Sequence, residues 1–228
     1  MALFDKSYST VTKLEADGIW LEYGHHKILQ NIYLRVDVGT IVGLLGRNGS
    51  GKSSLLDIIY GIRPAQNSSV RIDGRYVGKL YRHRHFLTYL PQKPFVPNQL
   101  RVNEVFRLYE CNLAEASEYF PELDELLSYR FKQLSGGQKR LLETILVMSS
   151  PAPFLSLDEP FSNVMPLHID TLKRWLTALK SRKGILLTDH YYQDVLSISD
   201  SVYLLNMGGR TILLQQPLQQ LKDLGYIH

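Results

Sequence analysis

The stretch Gly46-Arg47-Asn48-Gly49-Ser50-Gly51-Lys52-Ser53 restricts the fold more than any other part of this chain. Its spacing is G-x-x-x-x-G-K-[ST], an arrangement that works between a buried strand and a helix. The apolar run Ile41-Val42-Gly43-Leu44-Leu45 precedes it, and the helix-like Ser54-Leu55-Leu56-Asp57-Ile58-Ile59 follows. Glycines let the backbone curl and turn its N–H groups inward, where a polyphosphate can accept them. The helix adds its free N-terminal N–H groups and the positive end of its dipole. On this template Lys52 reaches the β- and γ-phosphates, and the Ser53 hydroxyl ligates Mg²⁺. Gly46, Arg47, Asn48, Gly49, Ser50, Gly51 and Ser54 complete the candidate phosphate cradle.

The rest of the chain supplies a sheet for that loop. Residues 13 to 37 alternate apolar and polar, which predicts antiparallel strands with a turn at Gly24-His25-His26. Val70 to Asp73 is a further short strand, and Phe86 to Leu90 is a strand ending at Pro91-Gln92. Residues 98 to 132 show helical spacing and no strand pattern, and Gln138 to Ser149 reads as a long helix. The insert therefore runs from about 98 to 149, flanked by core segments 12–92 and 150–222 of a single domain. Phe154 to Leu157, Gly184 to Thr188 and Ser201 to Asn206 are buried-type strands, separated by helices over 166–181 and 190–198. That alternation predicts a parallel sheet with crossover helices. A closing strand at Thr211–Gln215 and a short helix at Pro217–Leu224 leave no room for a further C-terminal domain.

Composition narrows the class. With 44% hydrophobic residues the chain can bury an ample core. Its one cysteine, Cys111, excludes an internal disulfide, in keeping with a reducing compartment. Met1 to Leu14 has the pattern of neither a signal peptide nor a span, and no segment reaches the roughly 18 apolar residues of a spanning helix. Work at a membrane would go through a partner. A net charge of +4 is too mild to mark a nucleic-acid binder.

Two more stretches carry chemistry. Phe154-Leu155-Ser156-Leu157-Asp158-Glu159 is an apolar strand ending in two carboxylates, at the position where open α/β sheets bind ligands. Asp158 would hold Mg²⁺ opposite Ser53, and Glu159 would polarise an attacking water. Ser156 interrupts the apolar run and, if buried, calls for a hydrogen-bond partner. Leu134-Ser135-Gly136-Gly137-Gln138 opens a helix with a serine and two glycines, which reads either as a second anion site or as an ordinary N-cap.

Together these stretches resemble the ATP-binding subunit of ABC transporters, in the family's order and over about residues 12 to 222. Gly46 to Ser53 matches the Walker A motif, Leu155 to Glu159 the Walker B motif with its glutamate, and Leu134 to Gln138 the LSGGQ signature. The resemblance implies an α/β fold: a P-loop NTPase core with a mostly parallel sheet, an antiparallel N-terminal β-subdomain and an inserted helical subdomain. It also implies ATP and Mg²⁺ as ligands. It places Tyr23 at the adenine-stacking position, Gln92 in the loop that touches metal and water, and His190 at the γ-phosphate. Ser135, Gly136, Gly137 and Gln138 would grip the ATP of a second, identical subunit in a head-to-tail dimer. Integral-membrane subunits would dock near Gln92 and the adjoining Lys93 to Pro97, placing the chain on the cytoplasmic face of a membrane. Asp158 to Phe161 with Val164 and Pro166 is similar to the branch of lipopolysaccharide-export and branched-chain amino-acid ATPases. One motif departs: Ser162-Asn163-Val164-Met165 ends in methionine where the family has aspartate. A non-transport ATPase of the same family, or a regulatory module that turns over slowly, are the other readings. The basic run Arg71 to His85 could meet anionic lipid but is more often a solvated face.

Overall fold

The structure is a computed structural model and describes residues 11–227. The N-terminal stretch read as neither signal nor span lies largely outside the described residues. β1 (Lys13–Tyr23) and β2 (His26–Asp37) form a hairpin across a two-residue turn, Gly24-His25, one residue shorter than expected. Leu14, Ala16, Ile19 and Leu21 of β1, with Leu29, Ile32, Leu34 and Val36 of β2, point to the same core, which is what their alternation demands. β3 (Ile41–Leu45) is buried at every residue, and α1 (Lys52–Tyr60) follows the phosphate loop. Helix α1 starts two residues earlier than its apolar spacing suggested, so Lys52 and Ser53 belong to its first turn. It stops at Gly61, which takes φ +88° and returns its N–H to Asp57 and Ile58. β4 (Asn67–Ile72) and the two-residue β5 (Arg75–Tyr76) extend the first sheet to the order β2-β1-β4-β5.

β6 (Leu87–Leu90) leads into a helical stretch: α2 (Val102–Leu108), α3 (Leu113–Tyr119), α4 (Leu123–Leu126) and α5 (Gly136–Met148). β7 (Phe154–Asp158), α6 (Pro166–Leu179), β8 (Gly184–Thr188), α7 (Tyr192–Ile198), β9 (Ser201–Leu205), β10 (Thr211–Leu214) and α8 (Pro217–Asp223) complete the chain. The second sheet has the order β10-β9-β3-β8-β7-β6, and only the β9–β10 pair is antiparallel. The mostly parallel sheet with an antiparallel N-terminal sheet is the fold anticipated above.

Residues of β3 alternate between the two cores. Val42 and Leu44 join the core that encloses α1 beneath the antiparallel sheet, and Ile41 and Leu45 join the one that packs the remaining helices. The sheet is thus covered on both faces, as an all-apolar central strand requires. The carboxyl ends of β3, β6, β7 and β8 lie side by side, and each carries one of the candidate motifs.

Candidate active site

The phosphate loop is shaped by close contacts. A Cβ at Gly46 would sit 2.6 Å from Ser50 Oγ and 2.8 Å from the Leu205 carbonyl. Gly51 takes φ +104°, and a Cβ there would meet Ile28 Cγ2 at 2.9 Å. Only glycine fits such positions without moving β2 or β9. Lys52 is buried, and its Nζ donates to the Gly46 carbonyl at 2.7 Å. Burial lowers its pKa, while Glu159, Asp158 and Asp189 pull it back up.

A cavity of about 450 Å³ opens over the loop. Tyr23, Asn48, Gly49, Gly51, Lys52, Ser53, Ser54, Gln92, Glu159 and His190 line it, with Ile28. Residues from five separate segments therefore meet in one space. Gly46 and Ser50 lie behind this surface, and the Arg47 side chain turns to the Gly225 carbonyl at 2.5 Å.

The carboxylate of Glu159 is the hub. Its Oε1 accepts from Gln92 Nε2 at 2.9 Å and lies 2.9 Å from His190 Nε2. Ser162 Oγ donates to Oε2 at 3.4 Å. Glu159 itself holds φ +56°, a left-handed conformation that costs of order 1 kcal/mol in a non-glycine residue. Strain of this kind persists where the surroundings over-determine the backbone. Here the Glu159 N–H donates to the Thr188 carbonyl at 2.8 Å, and Arg140 donates to its carbonyl at 2.9 Å. His190 sits in the loop before α7, not in the helix itself.

Asp158 is fully buried, and neither carboxylate oxygen has a hydrogen-bond partner among the described residues. Burial pushes its carboxyl up to about 6, and the facing Ser53 hydroxyl pulls the other way. An orphaned buried carboxylate beside a hydroxyl fits a hard cation such as Mg²⁺, which takes few protein ligands alongside phosphate and water. The described residues hold no group of three or more His, Cys, Asp and Glu that could cage a metal alone.

Ser135 to Gln138 lie elsewhere. Ser135 Oγ accepts from the Gln138 N–H at 3.2 Å, and Gln138 Oε1 accepts from the Ser135 N–H at 2.9 Å. This reciprocal cap opens α5. Ser135, Gly136 and Gln138 are exposed, and none of the four residues lines the cavity.

Ser156 departs from expectation: it is buried, yet its hydroxyl finds no partner among the described residues. Cys111 is partly buried; its thiol donates to the Leu146 carbonyl, and burial pushes it up to about 12.

Three supporting groups had no assigned role. Arg140 donates to the carbonyls of Pro91, Asp158 and Glu159. Glu143 Oε1 accepts from the N–H groups of Phe95 and Val96 at 2.9 and 3.1 Å. Asp189 accepts from the Phe161 N–H at 2.9 Å. Only Asp189, directly before His190, could have been flagged from sequence.

The fold and this loop define a P-loop nucleotide hydrolase. The family profile described as "ABC transporter" matches residues 29–162, more than half of the chain. A probable ABC transporter ATP-binding protein of Azorhizobium caulinodans is 31% identical, with 89% of this chain and 76% of the relative aligned. The lipopolysaccharide export system ATP-binding protein LptB of Escherichia coli K12 is 30% identical over 86% of this chain and 87% of its own. A solved structure titled as the ATP-binding subunit of an ABC transporter superposes with a TM-score of 0.81 at 26% identity, covering 95% of this chain and 98% of that one. The chain belongs to the ABC transporter family, as an ATP-binding and ATP-hydrolysing member.

Proposed function

We propose that this chain is the cytoplasmic motor subunit of a transporter and hydrolyses ATP in the cavity over Gly46–Ser53. Tyr23 stacks on the adenine. The loop N–H groups and Lys52 hold the phosphates, with Lys52 neutralising charge that grows on them. Ser53, Asp158 and Gln92 would hold Mg²⁺, which would supply positive charge to offset that of the phosphates. Glu159 accepts a proton from, or orients, the attacking water, and Gln92 and His190 fix its carboxylate for that task.

The observation that carries this reading is the meeting of Gln92 and His190 on one oxygen of Glu159, in the cavity that Lys52 and Ser53 floor. Steady-state phosphate release tests it. Glu159→Gln is expected to lower turnover at least 100-fold while retaining ATP affinity. Turnover at the wild-type rate would remove Glu159 from the chemistry.

The Ser135-Gly136-Gly137 end of α5 supports a second copy as partner, because Ser135 and Gly136 are exposed and none of the three lines the chain's own cavity. Membrane subunits would dock against the segment Lys93–Pro97, whose backbone Glu143 holds at Phe95 and Val96. Copurification with a membrane protein separates this reading from a non-transport ATPase of the same family. Among the described residues no helix is long and apolar enough to cross a membrane. Met165, 58% exposed where the family has aspartate, favours one second reading, a subunit that turns over slowly.

A further inference from the structure

We propose that Arg63 is a positioning residue for base recognition: it clamps the Tyr23 hydroxyl so that the ring stands ready as the adenine platform. The inference rests on the reading of Tyr23 as that platform.

Tyr23 is the last residue of β1, beside the Gly24-His25 turn, and is 50% exposed. A half-exposed side chain at such a place is free to change rotamer unless something holds it. Arg63 supplies the hold. Its Nη1 donates to the Tyr23 hydroxyl at 2.5 Å. The guanidinium is itself anchored, with Nε and Nη2 donating to Asp57 Oδ2 at 3.1 and 3.0 Å. The other oxygen of Asp57 accepts from the Tyr89 hydroxyl at 3.0 Å. Arg63 and Asp57, the inner members of this chain of contacts, each have a partner on both sides, and the Arg63–Asp57 step is charge-assisted.

The geometry gives the clamp a purpose. Asp57 lies on α1, the helix that carries Lys52 and Ser53 in its first turn. Gly61 ends that helix in the left-handed conformation, and the chain doubles back so that Arg63 reaches Asp57 again. The base platform on β1 and the phosphate loop are thereby tied to one rigid element. Tyr89 lies three residues before Gln92, so the same network also braces the strand that presents Gln92. A platform fixed before binding loses less freedom when the base arrives. The tyrosine hydroxyl, and not the ring alone, then contributes to affinity.

Calorimetric titration tests this with two probes, ATP and inorganic tripolyphosphate, which carries no base. Tyr23→Phe keeps the ring and removes the clamp, and Arg63→Met removes it from the other side. Each is expected to weaken ATP binding about fivefold to tenfold. The double variant should bind no worse than either single one, and tripolyphosphate affinity should stay unchanged throughout. Wild-type ATP affinity for Tyr23→Phe, or losses that add in the double variant, would overturn the clamp. Tyr23→Ala separates the two levels. If it weakens ATP binding while Tyr23→Phe does not, the platform stands without Arg63. If it has no effect either, the reading of Tyr23 as the base platform fails with the inference.

Discussion

Lys183 carries a charge into the interior just before β8. It is 4% exposed, and its Nζ donates to the Ser150 and Ala152 carbonyls at 2.6 and 2.5 Å. Burial, aided by neighbouring Arg182, lowers its pKa from 10.5 to about 8. Below pH 8 the lysine is charged in both folded and unfolded chains, and the folded state bears the full cost of burying it. Between 8 and 10.5 the unfolded chain binds more protons, so stability rises with pH over that window. The gain reaches at most about 3.5 kcal/mol, at roughly 1.4 kcal/mol per pKa unit. Urea midpoints of the wild type and Lys183→Met, compared from pH 7 to pH 10, should shift progressively in favour of the wild type. A constant difference would place the charge in contact with water. Nothing in Ser181-Arg182-Lys183 marks which cation is buried, because a lysine in a polar turn looks the same in sequence whether its tip meets solvent or carbonyls. Lys52 was legible for the opposite reason: its position in a fixed loop spacing dictates where its side chain goes.

At the scale of elements, α5 does more than present its N-terminus. One turn apart on one face, Arg140 and Glu143 grip the chain on both sides of Gln92: Arg140 the Pro91 carbonyl, Glu143 the amides of Phe95 and Val96. Arg140 also ties the end of β7 through Asp158 and Glu159. Arg140→Met would leave three carbonyls short of a donor and is expected to cost roughly 2–4 kcal/mol in urea denaturation. Turnover should fall as well, because Glu159 loses a restraint on its strained backbone. A stable variant with normal turnover would show that the remaining contacts suffice. The central strands of the large sheet, β3, β7 and β8, were readable because each is a short, continuous run buried on both faces. β5 was not, since two exposed residues carry no periodicity. Helices α2 to α4 were readable as helical territory but not individually. At seven, seven and four residues each, they are too short for a face to repeat.

For the whole molecule, the Ser135–Gln138 end of α5 lies apart from the phosphate cavity, and none of its residues lines that cavity. Apolar residues sit in the open after Glu159 and beside His190: Met165, Leu167 and Tyr191 are each more than half exposed. A second copy packed here would bury this methionine and leucine while bringing its Ser135–Gln138 to this chain's nucleotide. Where the family joins the two copies through an aspartate, this chain would substitute apolar contact by Met165. Such a contact gives no charge to orient, but it adds buried area that salt does not screen. Light scattering on the Glu159→Gln protein with ATP and Mg²⁺ reads the outcome. The mass should double with ATP, return to the monomer without it, and hold the dimer from low to high salt. Met165→Asp should render that dimer salt-sensitive without abolishing it. A monomer under all conditions, with ATP binding confirmed, would reject an autonomous homodimer. The partner covering Met165 would then be a different ATPase chain or the membrane subunit itself.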